Sequence, residues 1–136
     1  DHFKQINDTY GHIVGDSVLR QLSKELKDNL RAEDLAGRYG GDEFCVILPN
    51  RTLDQAREIM ERLRHVFANY QHADEPDLCV SLSIGLATCR PEFPHASMWL
   101  NEADKALYIA KNTGRNKISV GAADTLPESV LSNGPL

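Results

Sequence analysis

No apolar run in the chain approaches the ~18 residues of a membrane-spanning helix, and no secretory leader opens it, so any membrane anchor is expected outside these residues. Basic residues are outnumbered, 15 Lys and Arg against 20 Asp and Glu for a net charge of −5. That balance argues against a nucleic-acid groove or an anionic membrane as the main partner, so a phosphate site must be local. Cysteine is scarce: Cys45, Cys79 and Cys89 form neither a CxxC pair nor a zinc-like spacing with histidine. They are expected to be reduced thiols of a cytosolic protein, with Cys45 and Cys79 buried in apolar, strand-like runs. There is no internal repeat, and "DHFKQIND" starts without an initiator methionine or linker, as a piece cut from something longer does.

What is present suits one domain, since 136 residues bury a real core without disulfides or structural metal. Past a short segment around Phe3 and Ile6, the spacing of Val18, Leu19, Leu22, Leu26 and Leu30 predicts an amphipathic helix over 16–31. "LAGRY" and "EFCVILP" flank Gly40 and Gly41 as the arms of a β-hairpin. A helix over 53–70 follows, opened by a capping box of Thr52 and Gln55. "LCVSLSIGLAT" alternates as a strand with one core face, and a helix over 97–113 buries Trp99, Leu100, Ala103, Leu107 and Ala110, with Ser97 as cap and Gly114 as stop. "KISV" reads as a final strand, and 121–136 as a linker or disordered tail. A split βαββαβ plan also needs a strand before the first helix, which is largely absent from these residues.

Three places carry residue types suited to phosphate and nucleobase chemistry. In the hairpin, glycines let a ligand approach the backbone, and Asp42 and Glu43 are hard oxygen ligands for a divalent cation; an ordinary solvated turn has the same composition. In "NDTYGHIVGD", Asn7 and Asp16 present acceptors for the N1 and N2 hydrogens of guanine, or else close a turn and cap a helix. In "AKNTGRNK", Lys111 and Arg115 stand at i and i+4 at a helix end, able to meet one triphosphate or to offset the helix dipole.

In order and spacing, "DHFKQINDTYGHIVGD", "RYGGDEF", "SLSIGLA" and "ADKALYIAKNTGRNK" resemble the GGDEF domain of diguanylate cyclases over residues 1 to about 120. The resemblance implies a palm-like α/β domain with a ferredoxin-like βαββαβ sheet, which condenses two GTP into cyclic di-GMP and pyrophosphate. It implies that Asn7 and Asp16 read guanine, that Phe3 and Lys4 lie in a turn whose amides wrap the phosphates, and that Lys111 and Arg115 hold the triphosphate. Gly41 admits the nucleotide, Asp42 binds Mg²⁺ or Mn²⁺ beside the ribose 3′-hydroxyl, and Glu43 stands next to it in the catalytic turn. Each domain holds one GTP, so a symmetric homodimer is required, controlled by an upstream sensory domain.

"RAED" is similar to the family's inhibitory RxxD motif, which implies that Arg31 and Asp34, with Arg62 from the next helix, bind the product; a surface ion pair is the plainer reading. The family opens its first motif with Asp-x-Asp, and Asp1 matches the second of these, so the principal N-terminal metal carboxylate is missing. A chain starting at Asp1 is therefore expected to be weak or inactive while the longer protein is competent. A binding class is the alternative: a GTP or cyclic di-GMP sensor without synthesis, which degenerate signature acids would favour; here they are intact.

Overall fold

Apolar side chains three and four residues apart build the helices of the first half of the chain. The computed structural model describes residues 1–125, in two units: Asp1–Leu82, and a second that starts at Ser83. In the first unit the order is α1 (Phe3–Tyr10), α2 (His12–Asn29), β1 (Leu35–Arg38), β2 (Phe44–Ile47) and α3 (Leu53–Ala68). Helix α2 packs against both α1 and α3. The core is made of Ile6 from α1, Val18, Leu22 and Leu26 from α2, and Met60, Leu63 and Phe67 from α3, joined by Leu78 and Val80. Leu19 and Leu30, expected in that core, are only half-buried.

Helix α2 starts four residues before the expected 16, and α1 was not expected as a helix. Both differences have one cause. Gly11, at φ 88°, separates the helices and opens α2 without a capping side chain, so the usual start signal is missing. With a single buried residue, Ile6, α1 depends on packing against α2 for its stability. Helix α3 starts where expected: the Thr52 hydroxyl accepts from Gln55 N–H at 3.2 Å, and the Gln55 side chain accepts from Thr52 N–H at 3.0 Å. Beyond α3, His72 is buried edge-on to Phe67 and Tyr70, and burial holds its imidazole below the ordinary value.

The hairpin is antiparallel, with Leu35 opposite Ile47 and Arg38 opposite Phe44. In the second unit β3 (Ile84–Leu86) and β4 (Ile118–Val120) pair in parallel, and α4 (Ala96–Asn112) connects them and packs on both. The described strands thus form two two-stranded ladders, and no strand precedes α1 among the described residues.

Several expectations are corrected. The strand expected over 78–88 is confined to Ile84–Leu86, where β4 supplies a partner; Val80 is buried but its neighbour Cys79 is exposed. Cys45 is half-buried and Cys89 exposed, so burial does not explain these thiols. Ser97 is not the cap of α4, which begins one residue earlier behind His95, with no side-chain capping bond. On α4 the buried positions are Ala106 and Ala110, while Trp99 is half-buried and donates its indole N–H to Ala87 O at 2.7 Å. Residues 121–125 are structured: Ala122–Thr125 form a 3-10 turn, and the Asp124 carboxylate accepts from Thr88 N–H at 3.0 Å and pairs with Arg90. The rest of the expected tail, 126–136, lies outside the described residues.

Candidate functional site

Begin at the hairpin tip, where Tyr39 N–H and Gly40 N–H both donate to Glu43 O, at 2.8 and 3.2 Å, closing a tight loop over residues 39–43. Arg38, which the sequence reading passed over, supports that loop: its Nε donates to the Gly40 and Gly41 carbonyls at 3.1 and 3.0 Å, and its Nη2 also donates to Gly41 O. Gly40 and Gly41 are not at positive φ, so no left-handed conformation demands glycine there. A Cβ on Gly41 would meet nothing within 4 Å, and one on Gly40 only Glu43 at 3.8 Å. The backbone face is simply left bare. Asp42 is exposed at the tip and Glu43 half-buried beside it.

Asn7 lies on α1 and Asp16 on α2, and Phe3 and Lys4 form the first turn of α1 instead of an irregular turn. The amides of a helix's first turn have no partners within the helix, so this placement keeps backbone donors at Phe3 and Lys4. Asp16 is the fifth residue of α2, so the capping role open to it from sequence is excluded. Asn7 does not merely close a turn either: its Oδ1 is buried without a hydrogen-bond partner. A buried acceptor left unmade is costly, and each such group calls for an explanation. That oxygen occupies the space beside Gly15, 1.9 Å from where a Cβ would stand. Nothing in the sequence marked Gly15, because the close approach joins two helices.

The RxxD segment is folded on itself. Arg31 N–H donates to Asp34 Oδ2 at 2.7 Å, and Asp34 N–H returns a bond to Arg31 O at 3.0 Å. Arg51, another residue the sequence reading missed, donates from Nη2 to the same Oδ2 at 2.8 Å; the Asp34 side chain is wholly buried and that of Arg51 is 8% exposed. Asp34 Oδ1 has no partner. Arg31 is exposed, its Nε 3.1 Å from Glu33 and its Nη2 donating to Pro49 O at 3.2 Å; Arg62 is exposed on α3. Asp34 is thus more than half of a surface pair: its buried carboxylate meets the Arg51 guanidinium, and the Nε of exposed Arg31 lies 3.9 Å from the same oxygen.

Within the first unit a cleft of about 730 Å³ runs between α2 and the hairpin. It brings Asp16 together with Arg31 and Asp34, and adds the cations Arg20, Lys27 and Arg38; Asn7, Asp42, Glu43 and Arg62 are not in its lining. In the second unit Lys111 is on the last turn of α4, but the helix ends at Asn112. Arg115 therefore does not share a helical face with Lys111. It lies in the following loop at φ 61°, after Gly114 at φ 115°, with its N–H donating to Ala110 O at 3.0 Å.

A divalent metal would find a hard carboxylate at Asp42. Hard divalent cations take such oxygen ligands; among the described residues no three of His, Cys, Asp and Glu come together.

Residues 1–117 match the family model described as "Diguanylate cyclase, GGDEF domain". Diguanylate cyclase DosC of Escherichia coli is 42% identical over 127 residues, 90% of this chain and 27% of that protein. The response regulator PleD of Caulobacter vibrioides is 45% identical over 127 residues, 90% of this chain and 28% of that protein. The chain thus spans less than a third of either relative. Among solved structures, the coiled coil and GGDEF domain of DgcB from Caulobacter crescentus, in complex with c-di-GMP, superposes with a TM-score of 0.84 at 30% identity, covering 89% of this chain and 65% of that one.

Proposed function

Since the chain belongs to the GGDEF family of diguanylate cyclase domains, whose fold is palm-like α/β, we propose that it condenses two GTP into cyclic di-GMP and pyrophosphate. The observation that carries this reading is the hairpin tip, where Gly40 and Gly41 leave backbone bare for no internal reason beside an exposed Asp42. Family members work with a divalent metal; Asp42 would hold it, and Mg²⁺ or Mn²⁺ there would supply charge neutralisation at the phosphates. The chain's own groups position the reactants. Asn7 and Asp16 accept the guanine N–H groups and the Phe3 and Lys4 amides meet phosphate oxygens, while in the second unit Lys111 and Arg115 are cations suited to the same triphosphate chemistry. Asp42, with Glu43 beside it, receives the proton of the ribose 3′-hydroxyl as that oxygen attacks the α-phosphorus and pyrophosphate leaves.

Because each domain holds one GTP, turnover needs two copies facing each other, and an upstream sensory domain would act by bringing them together. Cyclic di-GMP bound at Arg31, Asp34 and Arg62 would inhibit, with the unpartnered Asp34 Oδ1 as an acceptor for guanine. The GTP pool sets the working compartment as the cytoplasm; among the described residues no helix is long and apolar enough to cross a membrane.

One assay tests these points: incubation of the longer protein, as a dimer, with GTP and Mg²⁺, followed by chromatography of the nucleotides. We expect cyclic di-GMP, a loss of about 100-fold or more in Asp42→Asn, and in Arg31→Ala unchanged initial turnover with product inhibition relieved. No cyclic dinucleotide from a demonstrably dimeric sample refutes synthesis, and calorimetric binding of GTP by that sample would instead make the domain a sensor.

A further inference from the structure

Gly15 is a buried position inside α2, where alanine would be the better helix former. The helix has no backbone reason for glycine there: Gly15 is not at positive φ. What fills the place of a side chain is the carboxamide of Asn7, with Oδ1 1.9 Å and Cγ 3.0 Å from an ideal Cβ, while the nearest other atom, on the Phe3 ring, stands at an ordinary 3.4 Å. The carboxamide lodged there leaves its oxygen buried and unpartnered. A buried acceptor without a protein partner is costly, and a water or a ligand group can complete the bond.

We infer that Gly15 is a positioning residue for nucleobase recognition: the missing Cβ on α2 is the berth that holds the Asn7 acceptor in place for the base's N–H donors. The inference rests on the reading of Asn7 as a guanine contact and adds the group that sets its aim. A methyl group at position 15 would collide with the end of the Asn7 side chain, the one group closer to it than 3.4 Å outside the neighbouring backbone of α2. The fold should therefore tolerate the change while recognition should not. This differs from a packing glycine, where a methyl group unfolds and disables together.

The test is equilibrium binding of GTP and of ITP, which lacks the 2-amino donors, to the parent chain, Gly15→Ala, Asn7→Ala and the double variant, with thermal midpoints for all four. We expect Gly15→Ala to lose about tenfold in GTP affinity, the order of one hydrogen bond to the base, and to lower the GTP-to-ITP preference towards that of Asn7→Ala. Its midpoint should be equal to or above the parent's, and the double variant should bind no more weakly than Asn7→Ala alone. If Asn7→Ala loses affinity while Gly15→Ala keeps both affinity and preference, the inference about Gly15 is overturned and the reading of Asn7 stands. If Asn7→Ala itself binds GTP as the parent does, or the parent does not bind, both fall.

Discussion

At Gly15 a Cβ would run into the end of an asparagine side chain; at Gly85 it would run into backbone, 2.2 Å from Ala103 O and 2.4 Å from Leu107 N. Both glycines are tight, yet the obstacles differ in what they can do. A carboxamide can swing away, whereas a helix carbonyl fixed in its ladder cannot move without moving the helix. The first unit thus gives the space to a side chain, and the second uses it to bring a strand against a helix. The small residues follow the same logic: Ala106 and Ala110, the fully buried positions of α4, keep that helix close to β3 and β4. The first unit fills its core with Leu, Met and Phe.

The largest effect should come from breaking this contrast at Gly85. Gly85→Ala is expected to cost about 3 kcal/mol or more, because overpacking against backbone has no cheap escape. Denaturant midpoints should fall far below those of Gly15→Ala. Equal midpoints for the two variants would show that the kind of obstacle does not matter here.

How far the contrast could be read in advance follows from range along the chain. The capping box of Thr52 and Gln55, the hairpin around Gly40 and Gly41, and the helices with three-and-four spacing are local patterns, and they stand as the residues imply. The start of α2 is hidden because Gly11 turns the chain without a capping side chain, and the i, i+4 spacing of Lys111 and Arg115 at the helix end puts them on no common helical face because α4 stops at Asn112. The alternation that buries Val80 puts Cys79 on the other side, so its exposure was legible, but the burial habit of free cysteine outweighed the pattern. Gly15 against Asn7, Gly85 against Ala103 and Asp34 against Arg51 are meetings between separate elements, and nothing in their own neighbourhoods announces them. The motifs suited to nucleotide chemistry are visible in the sequence; the contacts between separate elements that hold their side chains are not.

A smaller effect sharpens the comparison from the other side, since a side chain in the first unit is also held immovably. Asp34 is wholly buried and bonded through one oxygen to Arg51 and to Arg31 N–H. Arg51→Met removes a charged hydrogen-bond partner and should cost about 2 kcal/mol. Asp34→Asn removes the charge that Arg51 meets, so the double variant should recover part of the sum of the two losses. A denaturation cycle measures that coupling directly. Strict additivity would mean that the pair, although short and buried, is not energetically linked.

The smallest difference lies at the helix starts. Helix α3 has a reciprocal capping box, while α4 begins behind His95 with no side-chain bond, although His95, at φ −135° and ψ 145°, has the extended backbone that suits a cap. Thr52→Ala should therefore lower stability by about 1 kcal/mol, and His95→Asn should raise it by about 0.5–1 kcal/mol. The two substitutions are of opposite sign because one removes a partner from orphan amides and the other supplies one. Thermal midpoints read both. A neutral His95→Asn would show that the first amides of α4 are already satisfied, and that the two units differ less at their helix starts than at their glycines.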